Sequence, residues 1–190
     1  RWALLSSHID VELREIVLQD KPREFLKASN SGTVPCLQLQ DKIIDESMDI
    51  MIWALRKNDP DDWLDMPAEG YRLINEVEEK FKPNLDKTKY ATRYPQNDSN
   101  VSRSLVIEYL IDLDRKIKGE FLFGEQPKLA DIAIFPFVRQ FANIDIKWFD
   151  EFGWEKLQNW LKAFVESKMF DKSQKKFVQW RPNANPVFFP

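Results

Sequence analysis

The sequence predicts an α/β domain followed by an all-helical domain. Within residues 1–57, short runs of β-branched and apolar residues alternate with segments that have the spacing of helices. A polar, turn-forming stretch, Asn-Asp-Pro-Asp-Asp, opens residues 58–66, and beyond it the apolar residues recur at three- and four-residue steps. We therefore assign the first domain to residues 1–57, a linker to residues 58–66 and the helical domain to residues 67–190.

The composition allows a sizeable core and excludes several classes of protein. Of the 190 residues, 43% are hydrophobic and 31% are charged. The net charge is −3 with acidic and basic residues interspersed, so no basic face is available to neutralise nucleic-acid phosphates. No apolar run reaches the roughly 20 residues that span a membrane, and a single cysteine cannot form an internal disulfide. We expect a cytoplasmic protein that binds neither nucleic acid nor membrane.

The first domain is predicted to order its elements as helix, strand, helix, strand, strand, helix. Arg1–Leu5 has the pattern of the last turns of a helix, and we expect further residues to precede it. The other elements are predicted, in chain order, at Val11–Leu18, Arg23–Ala28, Cys36–Leu39, Lys42–Ile44 and from Ser47 onward.

In the helical domain, one segment stands out from the amphipathic helices around it. Ala130–Val138 is apolar nearly all round, which predicts a helix at the centre of a bundle. The tail from Trp180 to Pro190 is rich in proline and carries two phenylalanines, and we expect it to pack in extended form over the bundle.

Two short motifs of the first domain suit a small ligand. Asp45-Glu46-Ser47 lies where a helix begins, so free N–H groups and the Ser47 hydroxyl would accept a carboxylate, while Glu46 would accept from an ammonium group. The alternative is an ordinary helix cap with an acidic neighbour. A cis bond before Pro35 would turn the backbone of Val34 outward to pair with an extended peptide. The alternative is a trans proline at a strand edge.

The order of these motifs resembles the glutathione transferase superfamily. The residues that carry the likeness are KPREFLKASNSGTVPCLQL, then DES, then LADIAIFPFVRQF in the helical domain, and the spacing is most similar to omega-like and glutaredoxin-like bacterial members. The resemblance implies a thioredoxin-like first domain that binds glutathione, and a homodimer. It implies that Lys21 reaches the glycyl carboxylate, that Val34 beside cis Pro35 pairs with the cysteinyl part, and that Glu46 and Ser47 hold the γ-glutamyl end.

The same resemblance places the family's nucleophile before Arg1. It implies a glutathione-dependent thiol transferase or reductase that uses an upstream cysteine and acts on an unknown disulfide or electrophile. Two alternatives stay open: a binding module that has the fold without the catalysis, and a conjugating transferase with an upstream serine or tyrosine.

Three further residues are predicted to be structural. Cys36 follows Pro35 on a strand and is interpreted as a buried core thiol. The only histidine, His8, is expected at the surface. Asp131 resembles the family's helix-capping aspartate, although Lys128 stands where a serine or threonine is usual.

Overall fold

The computed structural model describes residues 1–190, and the chain forms two compact units. The first unit combines residues 1–62 with residues 168–190, and the second comprises residues 63–167. The polypeptide therefore leaves the first unit, completes the second and returns. The returning segment, 168–190, lies with the first unit and not with the helical domain in which we had placed it.

Four helices and four two-residue strands make up the first unit. The predicted helices at Arg23–Ala28 and from Ser47 are confirmed. The elements of this unit are α1 (Trp2–Ser6), β1 (Val11–Glu12), α2 (Arg23–Ala28), β2 (Leu37–Gln38), β3 (Ile43–Ile44), α3 (Ser47–Lys57), α10 (Lys168–Ser173) and β4 (Phe188–Phe189).

The strands form two separate antiparallel pairs. β2 and β3 make the predicted hairpin, with Leu37 opposite Ile44. β1 pairs with β4, with Val11 opposite Phe189. The strand expected at residues 11–18 is therefore limited to its first two residues, because its partner in the ladder is only two residues long.

The C-terminal segment, residues 174–190, packs in the first unit and not over the helical bundle, so our expectation for the tail was wrong. The backbone of Leu13 donates to the carbonyl of Val187 at 2.7 Å, next to the β1–β4 pair. Phe189 is only 2% exposed and its ring lies 6.2 Å from that of Phe177. The physical reason is that the β1 edge offers unpaired backbone groups, and β4 satisfies them while burying an aromatic ring.

The second unit is entirely helical. A π-helical stretch, Val77–Phe81, connects the first two α-helices of this unit without a break. The helices are α4 (Ala68–Glu76), α5 (Lys82–Lys89), α6 (Ser99–Lys116), α7 (Leu129–Ala142), α8 (Ile146–Glu151) and α9 (Glu155–Val165), with a 3₁₀ turn at Ala91–Arg93. None of the helices in the protein has both the length and the apolar character of a membrane span.

The predicted central helix is confirmed as α7, most of whose residues are buried. Asp131 in its first turn is fully buried and accepts three hydrogen bonds, from the backbone N–H groups of Leu122 and Lys128, both at 2.9 Å, and from the indole of Trp160 at 2.8 Å. The carboxylate therefore caps α7 at Lys128 and also fixes the preceding loop and α9, as the structural interpretation of Asp131 predicted.

Candidate functional site

The candidate site of the first unit is built on the loop between α2 and β2. Ser29 is 5% exposed, and its hydroxyl oxygen accepts a hydrogen bond from the N–H of Gly32 at 2.9 Å. The Ser31 and Thr33 hydroxyl oxygens are 2.7 Å apart. Gly32 has φ of +65°, a conformation that residues with a Cβ rarely adopt. The short polar side chains and the glycine thus fix a tight turn immediately before Val34.

The Val34–Pro35 peptide bond is cis, as one of the two sequence interpretations required. Val34 is 46% exposed and Pro35 is also exposed, so both remain at the surface of the unit.

Lys21 lies against the same turn. Its Nζ donates to the carbonyl oxygen of Gly32 at 2.7 Å, and the side chain is half-buried. An ammonium group has three N–H donors, so two remain for a ligand when one is engaged by the carbonyl. The structure therefore places a positive charge at the edge of the loop that ends at Val34.

The segment that leads into α3 also contacts this loop. One carboxylate oxygen of Asp45 accepts from the backbone N–H of Ser31 at 3.1 Å. This backbone hydrogen bond is the main cause that lowers the pKa of the Asp45 carboxyl below its usual value. Glu46 and Ser47 are exposed, and no side chain caps the first N–H groups of α3. Those N–H groups are consequently available to an anionic group.

The five residues predicted to bind a ligand thus lie on three segments that the loop joins. Lys21 contacts the loop at Gly32. Val34 and Pro35 lie at the end of the loop. Glu46 and Ser47 follow Asp45, whose carboxylate contacts the loop at Ser31. Sequence reasoning did not find the contact between Asp45 and Ser31. A signal for it was present, because a run of short polar residues around a glycine is typical of a turn that hydrogen-bonds neighbouring backbone groups.

Cys36 lies beside this site but lacks the character of a nucleophile. The thiol is half-buried, and burial first, then hydrogen bonding to the nearby Asp45 carboxylate, raises its pKa to about 11. Because the thiolate is the reactive form, only a very small fraction of this thiol is reactive at neutral pH. His8 is exposed, as predicted. No group of three or more histidine, cysteine, aspartate or glutamate residues is placed to hold a metal ion.

Comparison with known proteins connects this geometry to a family. Residues 1–63 match the family model described as the glutathione S-transferase N-terminal domain, and residues 98–163 match that of the glutathione S-transferase C-terminal domain. Together the two matches span about two thirds of the chain, in the family's order. The chain belongs to the glutathione S-transferase superfamily. Its first unit carries the thioredoxin-like N-terminal domain of that fold, and its second unit carries the helical C-terminal domain.

Solved structures support the same fold across several classes of glutathione transferase. A ternary complex of BphK, a bacterial glutathione transferase, has a TM-score of 0.71 at 20% identity, covering 90% of this chain and 88% of that chain. Glutathione transferase Omega 3C from Trametes versicolor has a TM-score of 0.74 at 18% identity, with coverage of 88% and 75%. A delta-class glutathione transferase from Nilaparvata lugens has a TM-score of 0.72 at 18% identity, with coverage of 90% and 84%. These identities establish the fold and do not select a class.

Proposed function

We propose that the protein binds glutathione at the loop between α2 and β2 and uses it in thiol transfer. The observation that carries the proposal is that this loop contacts both Lys21 and Asp45, and Asp45 immediately precedes the uncapped start of α3. Glutathione has a carboxylate at each end and an ammonium group at one of them, and this arrangement offers a partner of opposite charge or polarity for each.

The γ-glutamyl end is assigned to the start of α3. Its carboxylate would accept from the free N–H groups and the Ser47 hydroxyl, where the helix dipole also favours a negative charge. Its ammonium group would donate to the carboxylate of Glu46. Both side chains are exposed, so neither must break a contact within the protein to meet the ligand.

The rest of the tripeptide is assigned to the loop and to Lys21. The backbone N–H and C=O of Val34, next to cis Pro35, would pair with the cysteinyl residue as a strand pairs with its neighbour. The glycyl carboxylate would accept a hydrogen bond from the ammonium group of Lys21. This hydrogen bond is charge-assisted and therefore stronger than a neutral one.

Binding is tested by calorimetric titration of glutathione into the purified protein. Lys21→Gln, Glu46→Gln and Ser47→Ala should each weaken binding by about 10- to 150-fold, the range for a lost hydrogen bond to a charged group. Lys27→Gln is the matched control, because Lys27 is an exposed lysine of the neighbouring helix α2 and should leave affinity unchanged. If the three site variants bind as tightly as the unaltered protein, the assignment is wrong.

For the chemistry, we propose a cysteine in a segment that precedes Arg1 as the nucleophile, because Cys36 does not provide a reactive thiolate. Its thiolate would attack the glutathione sulfur of a mixed disulfide, forming a protein–glutathione disulfide and releasing the substrate thiol. A free glutathione thiolate would then attack the glutathione sulfur of the protein–glutathione disulfide, which regenerates the protein thiolate and releases glutathione disulfide. The net change is that one substrate mixed disulfide is reduced and one free glutathione thiol is oxidised. Replacing that cysteine by serine should abolish reduction of a glutathione mixed disulfide.

The second candidate is a glutathione-binding module without catalysis. It is favoured by the fact that the only thiol of residues 1–190 has a raised pKa. An intact mass of the natural protein equal to 22.6 kDa, together with glutathione binding and no turnover, would select this candidate. Conjugation of glutathione to an aryl halide without disulfide reduction would instead select the third reading, a transferase with an upstream serine or tyrosine.

We further propose an omega-like class, a homodimer and a cytoplasmic location for the protein. The class is supported by the spacing between Lys21-Pro22 and Val34-Pro35, on which the resemblance to omega-like members depends. Light scattering coupled to size-exclusion chromatography would test the homodimer, since a monomeric mass at micromolar concentration would contradict it.

A further inference from the structure

The residue directly before Lys21 is held by the C-terminal segment. Gln179 donates from Nε2 to a carboxylate oxygen of Asp20 at 3.1 Å, and Arg181 Nη2 forms an ion pair with the same oxygen at 3.2 Å. Arg181 also donates to the Gln179 side-chain oxygen at 3.0 Å, so the three side chains form a closed polar cluster. We call it the Asp20 cluster.

The cluster stabilises a turn that has little other support. The backbone N–H of Asp20 donates to the carbonyl of Val17 at 2.9 Å, which closes a turn over residues 17–20. Val17 and Leu18 are 45% and 62% exposed, so this turn has little packing to hold it in place. The polypeptide from residue 13 to residue 20 is not part of a strand. The Asp20 carboxylate therefore links this turn to the C-terminal segment.

The C-terminal segment can hold the cluster because it is itself anchored nearby. The N–H of Trp180, between the two residues that contact Asp20, donates to the carbonyl of Glu15 at 2.7 Å. The guanidinium of Arg14 lies 5.0 Å from the centre of the Trp180 ring, a cation–π contact. The side chains of Gln179 and Arg181 thus extend from a fixed backbone.

We propose that Gln179 and Arg181 are positioning residues for the ligand carboxylate at Lys21. This inference rests on the proposed binding of glutathione. The cluster keeps the Asp20 carboxylate on the C-terminal segment, away from the neighbouring ammonium group, so that Lys21 stays against Gly32 with N–H donors for the ligand. Without Arg181, an uncompensated carboxylate one residue from Lys21 would compete for the ammonium group and repel the incoming anion.

The first experiment measures glutathione binding calorimetrically at low ionic strength, where exposed charges are least screened. Arg181→Gln should raise the Kd about threefold, and Arg181→Gln combined with Gln179→Ala should raise it about fivefold or more, in keeping with exposed ion pairs. The matched control is Lys176→Gln, an exposed lysine of the same segment, which should leave the Kd unchanged. Arg181→Lys should recover part of the affinity.

The second experiment separates positioning from a general structural role. In an Asp20→Asn background, Arg181→Gln should have no further effect, because no carboxylate is left to compensate. In a Lys21→Gln background the effect of Arg181→Gln should be smaller, because the competition for the ammonium group is gone and only the repulsion of the ligand carboxylate remains. The urea midpoint of unfolding should be the same for Arg181→Gln and the unaltered protein, since both side chains of the ion pair are more than 60% exposed.

Each outcome bears on the proposal. Equal affinity of the unaltered protein and the double variant overturns the positioning role while the glutathione site stands. A loss of affinity that persists at full size in the Asp20→Asn or Lys21→Gln background also overturns it, because the effect then arises elsewhere. Absence of glutathione binding by the unaltered protein overturns the proposed function and, with it, this inference.

Discussion

Alkylation of Cys36 provides a direct test of whether the nucleophile lies outside residues 1–190. With a pKa of about 11, the thiol of Cys36 is about 0.1% ionised at pH 8, whereas an ordinary cysteine with a pKa near 8.5 is about one-quarter ionised. The thiolate fraction is thus lower by about 200-fold. Higher intrinsic nucleophilicity of a more basic thiolate recovers about 10- to 20-fold of this difference. We expect alkylation by iodoacetamide about tenfold slower than for a cysteine peptide, and slower still because the thiol is half-buried.

The assay is the intact mass of the protein as a function of time, from pH 7 to pH 10. The rate should rise about tenfold per pH unit over the whole range, because the pKa lies above it. Asp45→Asn should increase the rate, since the Asp45 carboxylate contributes to the raised pKa. Asp41→Asn is the control, because Asp41 is an exposed aspartate in the same hairpin. A rate that levels off below pH 8 would show a stable thiolate, and Cys36 would then be a candidate nucleophile.

Three further substitutions test the packing and the loop. Asp131→Ala leaves two buried donors and one half-buried donor without an acceptor and should lower the free energy of unfolding by about 3–5 kcal/mol. Asp98→Ala, which removes the side-chain cap of α6, should cost only about 1 kcal/mol. Phe189→Ala should cost about 3–5 kcal/mol in urea denaturation, whereas Phe188→Ala, at a position 64% exposed, should change stability by less than about 0.5 kcal/mol. Gly32→Ala should cost about 1 kcal/mol and weaken glutathione binding through Lys21, with Gly32→Asn less affected because asparagine tolerates positive φ. Equal effects within any of these pairs would contradict the contact on which it depends.

The parts of the fold that could be predicted from the sequence are those set by local spacing. The helix α2 begins and ends where the sequence indicated, and α7 contains the predicted segment Ala130–Val138 but extends from Leu129 to Ala142. The hairpin of β2 and β3 is likewise encoded within eight residues of sequence. In each case the residues that decide the structure are close together in the chain, so one sequence contains the whole signal.

The pairing of β1 with β4 could not be predicted, because it joins residues near opposite ends of the chain through backbone hydrogen bonds. Every residue except proline offers the same backbone N–H and C=O groups, so the sequence does not indicate which strand edges pair. In the candidate site, too, the residues could be predicted from the sequence but their contacts could not. Its polar residues were recognisable in the sequence, but the contact of Lys21 with Gly32 and that of Asp45 with Ser31 join residues 11 and 14 positions apart across a non-repetitive loop.

The return of the chain into the first unit determines the order in which the molecule is completed during synthesis. Residues 63–167 leave the ribosome as a continuous unit and can fold while β4 is still untranslated. At about 5–20 residues per second, β1 waits roughly 10 to 35 seconds for its partner. During that interval the turn before Lys21 also lacks the residues that hold Asp20. The helical unit can therefore complete its fold before the first unit does, and the candidate site is among the last parts of the molecule to be completed.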